Sequence, residues 1–329
     1  GHSHTVMENK QVQDASGKAV TLTQTGSYFA NVGEMTIAAD GTITTKLIPT
    51  HEGMDAGIAA MQTNWVNTVD DMLGEKIAVG DSDFYVSDPA TGKRRIRSAE
   101  TNLGDFVADG IYTYFNEVEK LHCDLAIMNG GGIRADVPAG DWTFKTCKQV
   151  SPFGNVACLM SVTGKQIQDA LEFAARFAGE GGKENGGFLQ VAGATYEIHT
   201  DIPNTVQTDE KNVWIGSATG TPRVQNVKIY DKASGSYLPL DPGATYALAG
   251  MNYTLRNLGD GFAMFDGAEL IKDYVSEDYL VMATYAMTFD GADAAGLPHL
   301  SSANSPLAAY PGYLLNYEQP YGAGRITIL

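Results

Sequence analysis

The sequence predicts an α+β fold, and three observations carry that expectation. Apolar residues recur at three- and four-residue steps in some segments and mark helices. Short runs rich in Val, Ile and Thr, bounded by Gly, Asp and Pro, mark strands. The two kinds of segment are interspersed without a regular strand–helix–strand alternation, which disfavours a doubly wound parallel sheet.

Residues 1–50 read as short strands: "KAVTLTQTG", "VGEMTIAAD", and "ITTKLIP" after the hairpin signal Asp40-Gly41. The period then changes. Ile58, Met61, Trp65, Val69 and Met72 fall on one helical face, and Gly74 supplies a C-terminal stop. "AETNLGDFVADGIYTYF" reads as a helix from about Leu103, capped by Thr101 or Asn102. "DLAIM" is a buried strand, and "TGKQIQDALEFAARF" a helix capped by Thr163 with Ile167, Leu171 and Ala174 on one face. A strand pair in "GGFLQVAGATYEIHT", the hairpin-like "VQNVKIYDKASGSYLPL" and the strand "TYALAGMNY" follow. A helix near 274–287 and a terminal strand in "GRITIL" close the chain.

The 329 residues carry a formal net charge of −17, a field that repels a polynucleotide backbone. A small phosphorylated ligand stays compatible, because a few local arginines outweigh a distant, screened field. No apolar run reaches the length of a membrane-spanning helix, and "GHSHTVMENK" has no apolar core of a secretory signal. Cys123 reads as a buried thiol, while Cys147 and Cys158 flank a turn and leave pairing open.

Four constellations bear on chemistry. "KRRIRSAETNLGD" places four basic residues in five positions, either a solvated charged loop or a phosphate-capturing one. "IMNGGGIRADV" sets Gly130, Gly131 and Gly132 between Asn129 and Arg134. It is either a tight turn after a strand or a nest of bared N–H groups closed by a guanidinium. "SPFGN" and "MNYTLRNLGDGF" carry Phe153, Tyr253 and Asp260 in turns. The two rings read either as lids over the core or as a pair holding a flat heterocycle, with Asp260 suited to the hydroxyls of a ribose. "GHSHT" puts His2 and His4 on one side of an extended strand, where two imidazoles can meet a metal; a purification-tag remnant is the alternative reading.

In order along the chain, "RSAETNLGDFVAD", "NGGGIR", "SPFGN", "TGKQIQDALE", "GGFLQVAG", "NYTLRNLGDGF" and "GRI" resemble the 5′-nucleotidase family of secreted two-domain metallophosphatases, which includes UDP-sugar hydrolases and 2′,3′-cyclic-nucleotide phosphodiesterases. The resemblance implies a mixed-sheet C-terminal substrate-binding domain over 75–329. It makes 51–74 a linking helix, and 1–50 the last strands of a metallophosphatase domain whose remaining metal ligands and catalytic histidine lie upstream. It assigns Arg97 and Arg134 to the substrate's phosphate, with Asn129 and the glycines Gly131 and Gly132 beside it. Phe153 and Tyr253 go to the base, Asp260 to the ribose, and His2 and His4 to the metal centre of the intact protein.

Two divalent metals (Zn, Mn, Co or Mg) would act there, none firmly bound by this chain, which alone would be inactive. The expected partners are a nucleoside or nucleotide and the missing metallophosphatase domain, and the expected location is secreted, periplasmic or cell-surface. One departure is visible. Leu258 stands where the family carries the first of two glycines before the aspartate, and Tyr253 lies one residue further from Asp260 than the pattern has it. Two functions remain to be separated: the specificity part of a nucleotide phosphohydrolase, and a nucleoside- or nucleotide-binding module without catalysis.

Overall fold

The computed structural model describes residues 5–50, 53–179 and 183–329; His2 and His4 lie outside them. The chain divides into two compact units, 1–67 and 68–329, and the division falls within the first helix. In the first unit, β1 (Val6–Gln13) pairs antiparallel with β2 (Ala19–Thr25), and β3 (Asn31–Ile37) with β4 (Ile43–Pro49). Gly41 closes the second hairpin at φ +85°, a conformation that disfavours a side chain, and the Asp40 carboxylate accepts from the Thr42 N–H. The first strand went unread in the sequence because "VMENKQVQ" is mostly polar and shows no two-residue alternation.

Helix α1 (Ala56–Leu73) starts where the Asp55 carboxylate accepts from the Ile58 N–H. Its apolar positions do not form a buried stripe: Ile58, Met61, Trp65 and Met72 are each more than half exposed.

The second unit is a mixed α/β body. Its strands and helices are, in order, β5 (Lys76–Gly80), α2 (Asn102–Thr113), β6 (Leu125–Asn129), β7 (Gly140–Thr143), α3 (Phe144–Val150), β8 (Ala157–Thr163) and α4 (Gly164–Ala174). Then come β9 (Leu189–Ala192), β10 (Ala194–Ile198), β11 (Gln207–Thr208), β12 (Trp214–Gly216), β13 (Val224–Asp231), β14 (Ser236–Pro239) and β15 (Thr245–Met251). The chain ends with α5 (Asn252–Leu255), β16 (Glu269–Lys272), α6 (Asp278–Ala286), β17 (His299–Leu300) and β18 (Ile326–Ile328). The central sheet runs β16-β8-β15-β6-β9, with β15 and β6 parallel and the other pairs antiparallel. A second sheet runs β14-β13-β10-β18 and a third β17-β5-β7.

Every residue of β6 is buried, because helices cover both faces of its sheet. Ala126 and Met128 join one core with Leu103, Phe106 and Ile111 of α2 and Val281 of α6. Leu125 and Ile127 join the other with Ile167 and Leu171 of α4. Thr101 caps α2 by accepting from the Gly104 N–H, and Thr163 and Gln166 form a reciprocal cap on α4. The two strands predicted in 186–200 are present as β9 and β10, but they do not pair with each other: they belong to different sheets, separated at Gly193.

The open question of a Cys147–Cys158 bridge is also settled. All three thiols are free, and Cys147 and Cys158 lie in different cores. Burial pushes both thiols up to about 12, so neither is a ready nucleophile.

Candidate functional site

The central sheet ends in loops that converge on one place. The strand β6 delivers Asn129 and then a tight turn of Gly130 to Gly132. These glycines answer to close approach rather than to positive φ. A Cβ on Gly130 would sit 2.3 Å from the Ile96 carbonyl oxygen, and one on Gly131 3.1 Å from that of Gly186. The anion-nest reading is corrected at two of the three positions. The Gly130 and Gly131 N–H groups donate to Phe188 and Gly186 carbonyls at 2.7 Å and are not turned toward a ligand.

The loop after β5 is laid across this turn. Gln190, fully buried on β9, donates to the carbonyls of Ile96 and Ala99, and the Asn185 N–H donates to the Arg97 carbonyl. Arg97 is thereby brought over the glycine turn with its side chain only 15% exposed. Its Nε is buried without a partner. Desolvation lowers its affinity for a proton, and the nearby Arg94 and Arg134 lower it further, against the pull of Glu184 and Asp260. Of its basic neighbours, Arg95 is turned away: it donates to the Glu100 carbonyl and lies over the Tyr321 ring.

Arg134 donates to the Gly131 carbonyl and lies over the Phe153 ring, 5.6 Å from its centroid. Phe153 is 58% exposed on a turn closed by Gly154 at φ +68°. That turn is laced to the segment carrying the second ring. The Val156 N–H donates to Asn252 Oδ1, and the Asn252 N–H to the Val156 carbonyl. The buried Asp278 accepts from the Asn155 N–H; burial lifts its carboxyl to about 6.

Tyr253 follows Asn252 and donates its hydroxyl to Asp260 Oδ1 at 3.0 Å. Its ring lies flat on Gly259, where a Cβ would come within 2.5 Å of it. Burial, then the Asp260 charge, raise the Tyr253 phenol. The other Asp260 oxygen accepts from Asn129 Nδ2 at 3.1 Å. Asn129 is 4% exposed and its Oδ1 has no partner, an acceptor left over at the floor of the site. The departure at Leu258 has a structural account. Leu258 and Asp260 both adopt φ +55°, a region that favours glycine, and Leu258 offsets the strain by packing on the core around α4.

The structure therefore gathers Arg97, Asn129, Arg134, Phe153, Tyr253 and Asp260 around the Gly131–Gly132 turn. Sequence reasoning missed three residues of this region. Glu184 lies against Arg94 and Arg97, and Asn185 holds the Arg97 backbone. Arg176 is buried over the Phe173 and Phe177 rings, with its pKa pulled to about 10 by burial against the opposing charge of Asp260. The Asn-Gly-Gly turn chemistry of "ENGGF" was the one available signal for the first two. Among the described residues no group of three or more His, Cys, Asp or Glu gathers to hold a metal.

Residues 78–267 match the family described as 5′-nucleotidase, C-terminal domain, and the chain belongs to that family. It is 31% identical over 291 residues to the trifunctional nucleotide phosphoesterase protein YfkN of Bacillus subtilis, covering 85% of this chain and 18% of that protein. It is 28% identical over 181 residues to a 5′-nucleotidase of Vibrio parahaemolyticus, covering 55% of this chain and 27% of that one. Among solved structures, a 5′-nucleotidase precursor from Thermus thermophilus matches with a TM-score of 0.63 at 25% identity, over 100% of this chain and 58% of that one. A sulfate thiohydrolase, SoxB, from Thermus thermophilus shares the fold, with a TM-score of 0.54 at 14% identity. The matched parts thus cover 18% of the Bacillus relative and 27% of the Vibrio one, under a third of each.

Proposed function

We propose that this chain is the nucleotide-binding specificity domain of a metal-dependent phosphohydrolase of the 5′-nucleotidase type. The observation that carries it is the pairing of unlike binding features in one site. Arg97 and Arg134, short of acid partners, stand beside the exposed Phe153 ring and across from an Asp260 held between Tyr253 and Asn129. A guanidinium fork suits a phosphate, an exposed ring suits a base, and a carboxylate with free lone pairs suits two vicinal hydroxyls. A small inorganic or thiosulfonate anion has no use for the rings, which favours a nucleotide over the ligand of a thiohydrolase.

In this reading the chain binds and orients. Arg97 and Arg134 hold the phosphoryl group, the rings fix the base, and Asp260 fixes the sugar, so that the phosphoester bond is presented in one pose. The reacting metals and their ligands are assigned to a metallophosphatase domain of the longer protein, with strands β1–β4 as its last strands and His2 and His4 as the share this chain lends. The protein containing it is placed outside the cytoplasm, as a secreted, periplasmic or cell-surface enzyme. Among the described residues no helix is long and apolar enough to cross a membrane.

A thermal-shift screen against adenosine, AMP, a 2′,3′-cyclic nucleotide and a UDP-sugar tests the reading. Stabilisation by at least one nucleotide above its nucleoside is expected. No shift with any of them contradicts it. A nucleoside bound as well as its nucleotide favours the second reading, a binding module without catalysis.

A further inference from the structure

Arg94, Arg97 and Arg134 meet two carboxylates at the site, and the carboxylates are not equivalent. Both Asp260 oxygens are engaged by Tyr253 and Asn129. Glu184 instead offers one oxygen, Oε2, to two arginines, at 3.1 Å from Arg94 and 3.7 Å from Arg97. The second separation is an ion pair without a hydrogen bond. The less exposed cation, Arg97, is therefore the less well neutralised, and its buried Nε has no partner.

The backbone beside Glu184 is fixed: the Asn185 N–H is tied to the Arg97 carbonyl and the Gly186 carbonyl to the Gly131 N–H. Its side chain, 41% exposed, stands on this fixed backbone at the edge of the site. An anion arriving at Arg97 with full hydrogen-bonding geometry meets a carboxylate that already shares that arginine.

We propose that Glu184 is a built-in counter-ion that competes with the ligand's phosphate for Arg94 and Arg97, and so sets how strongly the site discriminates by ligand charge. This rests on the phosphate reading of Arg97 and Arg134 given above. With no ligand, Glu184 partly neutralises the crowded guanidinium groups. With a phosphate dianion bound, it swings toward solvent or repels the incoming charge, and either way it weakens the nucleotide relative to the nucleoside.

The test is calorimetric titration of the chain and of Glu184→Gln and Glu184→Ala with AMP, adenosine and inorganic phosphate. Both variants are expected to bind AMP roughly fivefold or more tightly, with adenosine unchanged and the gain shrinking at high salt, as a screened charge–charge effect must. An unchanged AMP affinity overturns the proposal. A weakened AMP affinity with adenosine unchanged also overturns it, since Glu184 would then be orienting Arg97. Equal changes for both ligands overturn it too, as an effect on loop shape. Arg97→Ala and Arg134→Ala run alongside separate the two layers. If neither affects AMP, the phosphate reading and the proposal fall together. If both do and Glu184→Gln has no effect, the proposal falls alone.

Discussion

Two groups of arginines and carboxylates lie in the second unit, and they are built on opposite plans. At the C-terminal strand, Arg325 is completely buried and donates to Asp109, to Val191 and to Leu314, the last with two of its nitrogens. Asp109 also accepts from the hydroxyls of Tyr313 and Tyr317, and Glu100 accepts from the Gly324 and Ile326 N–H groups. Asp105 accepts from the Ala323 N–H, and its carboxyl is pushed well up by burial and by Glu100. One buried Asp105 oxygen lacks a hydrogen bond but lies 3.8 Å from the Arg325 guanidinium; the other charges are consumed in fastening the chain's last strand onto α2. Around Arg97 and Arg134 the guanidinium groups have few protein acceptors, a buried nitrogen and a buried amide oxygen are orphaned, and an aromatic ring stands exposed. A buried charge without enough partners is expensive, so a fold tolerates it where a ligand supplies the missing ones. The contrast separates an arginine whose charge the fold consumes from arginines that the fold leaves open.

The largest effect expected from this contrast is on stability. Arg325→Met leaves Asp109 and Asp105 buried without their cation and should lower the unfolding free energy by about 3–5 kcal/mol. Urea denaturation of Arg325→Met beside Arg134→Ala measures it; Arg134→Ala should lie within roughly 0.5 kcal/mol of the parent. Equal losses in the two variants would erase the distinction.

Next in size is the ring. Phe153→Ala should weaken adenosine binding by about 1–3 kcal/mol, the value of one stacked base, with little change in stability because the ring is exposed. Unchanged adenosine affinity by calorimetry would make Phe153 only a cover for Arg134.

The smallest effect concerns Asp278, which holds the Phe153 turn through Asn155. Its folded-state pKa of about 6 stands above the ordinary 3.8, so its protonation favours the folded state. Its contribution is complete below about 3.8 and is lost as pH rises through about 6. Relative to Asp278→Asn, the parent should therefore lose on the order of 1 kcal/mol across that window, read as Tm against pH. Parallel curves for the two proteins would show that Asp278 does not titrate there.

What could be read from the sequence follows a physical line. Elements with local signals were visible: Thr101 and Thr163 as caps, the apolar run of β6, and the hairpin at Asp40-Gly41. So was the set of candidate ligand residues, since each sits in a short motif. The Arg325–Asp109 pairing was invisible, because partners more than two hundred residues apart leave no periodicity between them. The choice between turn and nest at Gly130 stayed open for a related reason. Its N–H serves Phe188 and its missing Cβ makes room for Ile96, neither of them a neighbour in sequence. Helix α1 shows the converse: its spacing is helical, yet periodicity states which residues share a face and not that the face is buried.

The central claim is that the open arginines bind phosphate. Isothermal titration of AMP and of adenosine into the chain and into Arg134→Ala tests it most directly. The account predicts that AMP loses about ten- to a hundredfold in affinity, the value of hydrogen bonds to a charged group, while adenosine changes less than about twofold. An equal loss for both ligands would contradict it and make Arg134 a strut of the glycine turn.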